Sequence, residues 1–161
     1  MQIMTTNKLA GAIRVQDQNT AINENMLRML FEKKKVRSWK HGNRTVCEFG
    51  ILIEGINQLL GLKETEVMAR VRSIHDAFTE LRETNPELGI SEERIRFLVS
   101  AGKLSHIKVG NRAYIALESF EAPYNSCLIY DDYRESKAAR QEEIAQKQIN
   151  DTLARRANRK K

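Results

Sequence analysis

Two stretches of the chain carry apolar residues at i, i+3 and i+4: Leu27, Leu30 and Phe31, then Ile95, Leu98 and Val99. That spacing gathers the three side chains on one face of a helix. Each stretch follows a residue able to cap free backbone N–H groups, Asn23 or Ser91. Each also has acid in its first turn, Glu24 in one and Glu92 with Glu93 in the other, where the helix dipole favours it. Gly102 ends the second helix, while Lys34 stands at the matching place in the first, which therefore ends less cleanly. Beyond each helix, short apolar segments flank Gly42-Asn43 or Gly110-Asn111 and predict a strand, a tight turn and a second strand. A longer helix is predicted upstream of the second unit, about Lys63 to Thr84, with Val67, Val71, Ile74, Phe78 and Leu81 on one face and Asn85-Pro86 as its stop. Its counterpart in the first unit, Asn7 to Val15, is shorter and weaker. After the first hairpin, GILIEGINQLLGL predicts a third helix with Leu52, Ile56, Leu59 and Leu60 inside, and Pro123 cuts the matching helix short in the second unit.

These patterns are one pattern written twice. Sliding the chain on itself by 68 residues places KHGNR (40–44) on KVGNR (108–112) and gives 10 identities in the 40 positions from 13 to 52. Apolar positions coincide more fully, among them Leu27 with Ile95, Val36 with Leu104, Trp39 with Ile107 and Cys47 with Ile115. Trp39 and Cys47 are accordingly expected in the core. The chain reads as an internal duplication of a unit of about 60 residues, with boundaries at 1–62, 63–125 and a charged tail at 126–161 that is either helical or disordered.

With the apolar face buried, 100° per residue turns Asn25, Arg28, Met29 and Glu32 outward in the first unit, and Glu93, Arg96, Phe97 and Ser100 in the second. Arg28 and Arg96 are shared. An arginine there can bind a phosphate, or guanine O6 and N7 together, while Asn25 suits adenine, Glu93 suits cytosine N4 and Phe97 suits a thymine methyl. Phe97 and Met29 suit a protein partner equally well. The hairpin tips repeat a second cationic pattern: Lys40 and Arg44 flank Asn43, and Lys108 and Arg112 flank Asn111, a spacing that suits phosphate contacts or insertion into a minor groove.

Residues 89–120, GISEERIRFLVSAGKLSHIKVGNRAYIALESF, resemble the excisionase-type, MerR-like winged helix-turn-helix family: a capped helix, an apolar-Arg-aromatic step, GKL, a KVG-R wing and a strand into a final helix. The likeness extends over 65–120, and residues 1–62 resemble the family more distantly. The first unit lacks the Gly before Lys35 and carries Trp39 and His41 in its wing. The resemblance implies a mainly α fold with small β-hairpin wings, a tandem duplicated winged helix-turn-helix. It also implies sequence-specific binding to double-stranded DNA, with the second helix in the major groove and the wing alongside. The expected interface comprises Asn25, Arg28, Lys35, Lys40, Asn43 and Arg44 in the first unit. In the second it comprises Glu93, Arg94, Arg96, Phe97, Lys103, Lys108, Asn111 and Arg112. Members of this family assist recombinases or regulate transcription on phages and mobile elements.

Charge agrees with that expectation. The 161 residues carry a net charge of +6. Residues 22–52 hold seven basic and three acidic side chains, whereas 53–89 hold four and seven. A basic balance favours polyanions. The tail ends in Arg155, Arg156, Arg159, Lys160 and Lys161, a further electrostatic contact for DNA. No catalytic constellation, phosphate-binding loop or metal-ligand spacing stands out, so the chain is expected to be non-enzymatic and to need no cofactor or metal. The longest apolar runs are too short to span a membrane, and the N-terminal stretch lacks the apolar core of a signal peptide, so a cytoplasmic protein is expected. Two rival readings keep the same fold. One is a protein-interaction module that meets a recombinase or another partner through Phe97 and Met29. The other is an architectural binder that holds DNA without regard to sequence.

Overall fold

The computed structural model describes residues 2–63, 66–121 and 127–158. Among them are six α-helices and two antiparallel sheets of three strands each. The chain runs β1 (Ile3–Thr5), α1 (Thr6–Gln16), α2 (Glu24–Glu32), β2 (Trp39–His41), β3 (Arg44–Glu48) and α3 (Phe49–Leu59). It then repeats itself as β4 (Val71–Ser73), α4 (Ile74–Thr84), α5 (Glu92–Ser100), β5 (Ile107–Val109) and β6 (Arg112–Ala116). Adding 68 to the bounds of the first five elements reproduces the bounds of the second five, residue for residue. The strand orders match as well, β1-β3-β2 and β4-β6-β5.

The caps form as their residue types dictate. The Asn23 side chain accepts the Met26 N–H at 3.0 Å and the Ser91 hydroxyl accepts that of Arg94 at 3.2 Å. Both helices close with the same crossed pair of backbone bonds: Lys34 N–H to Phe31 and Lys35 N–H to Leu30 in α2, Gly102 N–H to Val99 and Lys103 N–H to Leu98 in α5. This ending needs a left-handed residue at its centre. Gly102 takes φ 69° without strain, and Lys34 is forced to φ 52°, alone among the described non-glycine residues. The first helix thus ends as cleanly as the second, but with a lysine held where glycine is preferred. Each hairpin leaves two residues between paired strands, with Gly42 at φ 59° and Gly110 at φ 58°.

Three further expectations are corrected. The helix expected to be the shorter of its pair, Asn7 to Val15, is α1, whose eleven residues equal those of α4. Of the helix predicted from Lys63 to Thr84, the described residues are helical only from Ile74, and residues 64–65 lie outside them; Val71–Ser73 is a strand paired with β6, and Val67 is 71% exposed. The apolar spacing fits a helix, but Ser73 caps α4 by accepting the Asp76 N–H at 3.2 Å and starts it afresh. The matching strand β1 likewise pairs with β3, so each hairpin gains a third strand that periodicity did not reveal. Trp39 is 38% exposed, whereas its counterpart Ile107 is buried. The Arg37 guanidinium lies over its ring at 5.4 Å from the centroid.

Residues 1–125 form one compact unit and 126–161 another. In the first unit, α1, α2 and α3 bury Leu9, Ile13, Leu27, Leu30, Leu52 and Ile56, and Met68, Val71 and Ile107 of the second repeat join the same cluster. Cys47 is a fully buried member of it; burial, with the nearby Glu48 carboxylate, pushes its thiol up to about 11, so it packs as a neutral group. The third element of the second repeat is a 3-10 turn, Leu117–Phe120, in place of an eleven-residue helix. Pro123 lies outside the described residues. The second unit holds α6 (Cys127–Asn158), in which Ile144, Ile149 and Leu153 are exposed among polar side chains. Of the terminal cations, Arg155 is exposed on α6; Arg159, Lys160 and Lys161 lie outside the described residues, as does the side chain of Arg156. No helix among the described residues is long and apolar enough to cross a membrane.

Candidate nucleic-acid interface

Both second helices set their shared arginine on the exposed side, because the opposite face holds the core. Neither arginine stands alone. Arg28 Nη2 donates to the Glu24 carboxylate at 2.6 Å, one turn earlier. Arg96 makes the corresponding ion pair with Glu92, its Nε at 3.1 Å. The glutamates hold each guanidinium along the helix and compete with a ligand anion for its N–H donors. In the second repeat Glu92 also meets His75 Nδ1 at 3.0 Å, from the first turn of α4. This hydrogen bond holds the His75 ring above its ordinary value of 6.5, and the same contact, with Arg96, holds Glu92 below the ordinary carboxylate range. The first repeat has Asn7 in place of His75.

The remaining expected residues divide by exposure. Asn25, Lys35, Lys40, Asn43 and Arg44 are exposed in the first repeat, with Lys40 Nζ donating to Thr45 Oγ1 at 3.1 Å across the hairpin. Glu93, Lys103, Lys108, Asn111 and Arg112 are exposed in the second. Arg94 and Phe97 are half-buried on α5, and Met29 is half-buried on α2. The outward apolar pair expected from helical spacing is thus partly covered.

Folding brings together residues that the two repeats hold far apart in sequence. A cleft of about 410 Å³ runs between the end of α2 and the second hairpin. Lys33 and Lys35 line it from the first repeat and Lys108 from the second, over a floor of Met29, Leu59 and Ile107. A second groove, of about 580 Å³, is lined by Lys34, Arg37 and Lys40 with Trp39. Lys33, Lys34, Arg37 and Trp39 were not among the expected site residues. The first three belong to the EKKKVR run, a dense stretch of basic charge, and that signal was present in the sequence. Trp39 had no signal, because its alignment with Ile107 argued for burial. Neither groove has an aspartate in its lining, and Glu32 is the one acid at the edge of the second. Their chemistry is that of anion contact with aromatic and aliphatic surface beneath it.

No protein-family model matches the chain, and no curated protein or solved structure is significantly similar to it.

Proposed function

We propose that this chain binds double-stranded DNA by sequence, through two tandem winged helix-turn-helix units of the excisionase-like, MerR-like kind. The observation that carries the reading is that one cationic arrangement is built twice on one backbone. An exposed arginine on the second helix (Arg28, Arg96) is followed by a hairpin whose exposed tip ends in Arg44 or Arg112. In this reading α2 and α5 enter successive major grooves, and the hairpins lie on the flanking backbone or minor groove. Lys35, Lys40, Lys103 and Lys108 contact phosphates, which supply affinity and register, while Arg28, Arg96, Asn25 and Glu93 read base edges. The outward side chains of the two helices differ, so the half-sites differ. The biological setting is recombination, as an accessory factor, or transcription regulation, in a phage or mobile element. Partial burial of Met29 and Phe97 reduces the apolar surface on which a purely protein-binding role would rest.

The test is selection from a random duplex pool at about 0.15 M salt, where non-specific contacts are already weak. An enriched motif with two unlike halves is the expected result. Retention without enrichment would replace the reading with an architectural binder, and absence of retention would abandon DNA. On the selected site, Arg44→Ala and Arg112→Ala should each lower the slope of log affinity against log salt by about 1. Glu92→Gln should tighten binding, since it releases Arg96 and removes a negative charge from the interface.

A further inference from the structure

The junction between the repeats contains the most completely satisfied ionic site among the described residues. Arg72, on β4, is 2% exposed. A guanidinium has five N–H donors, and here all five are used. Nη1 and Nη2 reach the two carboxylate oxygens of Asp17 at 2.5 and 3.0 Å. Nε and Nη2 reach those of Glu80 at 2.6 and 3.3 Å, and Nη1 also reaches the Val71 carbonyl at 3.1 Å. Asp17 closes α1 of the first repeat, while Glu80 lies on α4 of the second. The arginine is therefore shared between the repeats, and the position equivalent to it, Met4, carries no charge.

Three neighbouring features act in the same direction. The Ala21 N–H donates to the Val71 carbonyl at 2.8 Å, so the first repeat's inter-helix loop runs along the free edge of β4. Asn57, buried on α3, donates to the Val67 carbonyl at 2.8 Å and accepts the Ala69 N–H at 3.0 Å, which fastens the connecting segment to the first repeat. Gly61 lies so close to Ser105 that an added Cβ would stand 2.5 Å from its hydroxyl. A buried ionic cluster contributes little net stability, because desolvation offsets the attraction, but its directional bonds are satisfied in one arrangement alone.

We propose that Arg72 is a positioning residue. It locks the two repeats into one rigid reader, so that the target duplex must present its two half-sites at a single spacing and helical phase. The spacing rests on the DNA reading above; the lock does not. Flexibly joined modules accept a range of spacings, with affinity set by effective concentration. A rigid pair accepts one, and each inserted base pair also turns the second half-site by about 34° away from its helix.

Two readouts separate the lock from the DNA reading. Spin labels at Glu32→Cys and Ser100→Cys, in a chain with Cys127→Ser, report the distance between the ends of α2 and α5. The expected result is one narrow distribution in the parent. It should broaden in Arg72→Leu and in Asp17→Asn, which keeps the acceptor for the Asn19 N–H but loses the charge on the first repeat's side of the lock. A broad parent distribution, or variants as narrow as the parent, would overturn the lock. Selection from the random duplex pool should give one spacing for the parent and several for both variants. Several spacings for the parent would overturn the single-spacing claim. Failure to enrich any motif would remove the DNA reading, and with it the spacing claim, while the distance measurement still decides the lock.

Discussion

The two repeats have the same backbone and different surfaces. Helix bounds, strand registers and even the backbone bonds that end the second helix coincide at an offset of 68. Exposed side chains agree at some aligned positions, Arg28 with Arg96, Lys40 with Lys108 and Arg44 with Arg112, and side chains diverge at others: Lys34 against Gly102, Trp39 against Ile107, Asn7 against His75. The third element diverges as well. In the first repeat it is the long helix α3, whose Asn57 secures the connection to the second repeat. In the second it is a four-residue 3-10 turn. The backbone and the cations at the second helix and hairpin tip recur, while other side chains around them differ.

The comparison can be broken first at the core. Leu30 and Leu98 are aligned and at most 2% exposed, so replacing either by Ala should cost about 2–5 kcal/mol. Because residues 1–125 form one compact unit, both substitutions should shift the same cooperative denaturant transition. Two separable transitions would mean that the repeats fold independently.

A smaller effect should rank the repeats in recognition. Arg96→Ala should cost about 1–3 kcal/mol of affinity for the selected site if the arginine reads a base. Arg28→Ala, measured on the same duplex, should match it if the first repeat reads DNA too. A silent Arg28→Ala beside a damaging Arg96→Ala would make the first repeat a scaffold.

Smaller again is the backbone contrast. Lys34→Gly should stabilise the protein by up to about 1 kcal/mol, since it relieves a left-handed lysine, and Gly102→Ala should destabilise it by about 1 kcal/mol. Equal and negligible shifts in thermal midpoint would contradict the strain assigned to Lys34.

The least effect is expected at His75. Its folded pKa is raised by the Glu92 hydrogen bond, so the pair's contribution is complete below the ordinary histidine value and is lost as pH rises through the folded one. Glu92 titrates in the opposite sense: its contribution is present above the ordinary carboxylate range and is lost on acidification. The side chains are exposed, so the change is best followed by NMR titration of the His75 ring. Glu92→Gln should return the ring toward its ordinary value, and an unmoved titration would show that the contact is absent in solution.

Much of this was legible along the chain. Apolar spacing located α2, α5 and both hairpins, and the Asn23 and Ser91 caps marked where the helices start. These features are local: a cap, a turn and a periodic face are set by residues a few positions apart. Periodicity failed between 66 and 73, where Val67 and Val71 continue a helical spacing although Ser73 restarts the chain. It failed again at Trp39, because a repeat alignment predicts shared backbone better than shared burial.

The sequence alone therefore determined the repeated unit, its helices and hairpins, and the cations placed on them, since each follows from short-range geometry and the need to bury one face. The tertiary structure alone decided the third strand of each sheet, the lysine-lined cleft between the repeats and the partners of Arg72. Those depend on groups far apart in the chain, Asp17 and Glu80 being 63 positions apart, and no local pattern specifies which distant carboxylate a buried guanidinium will meet.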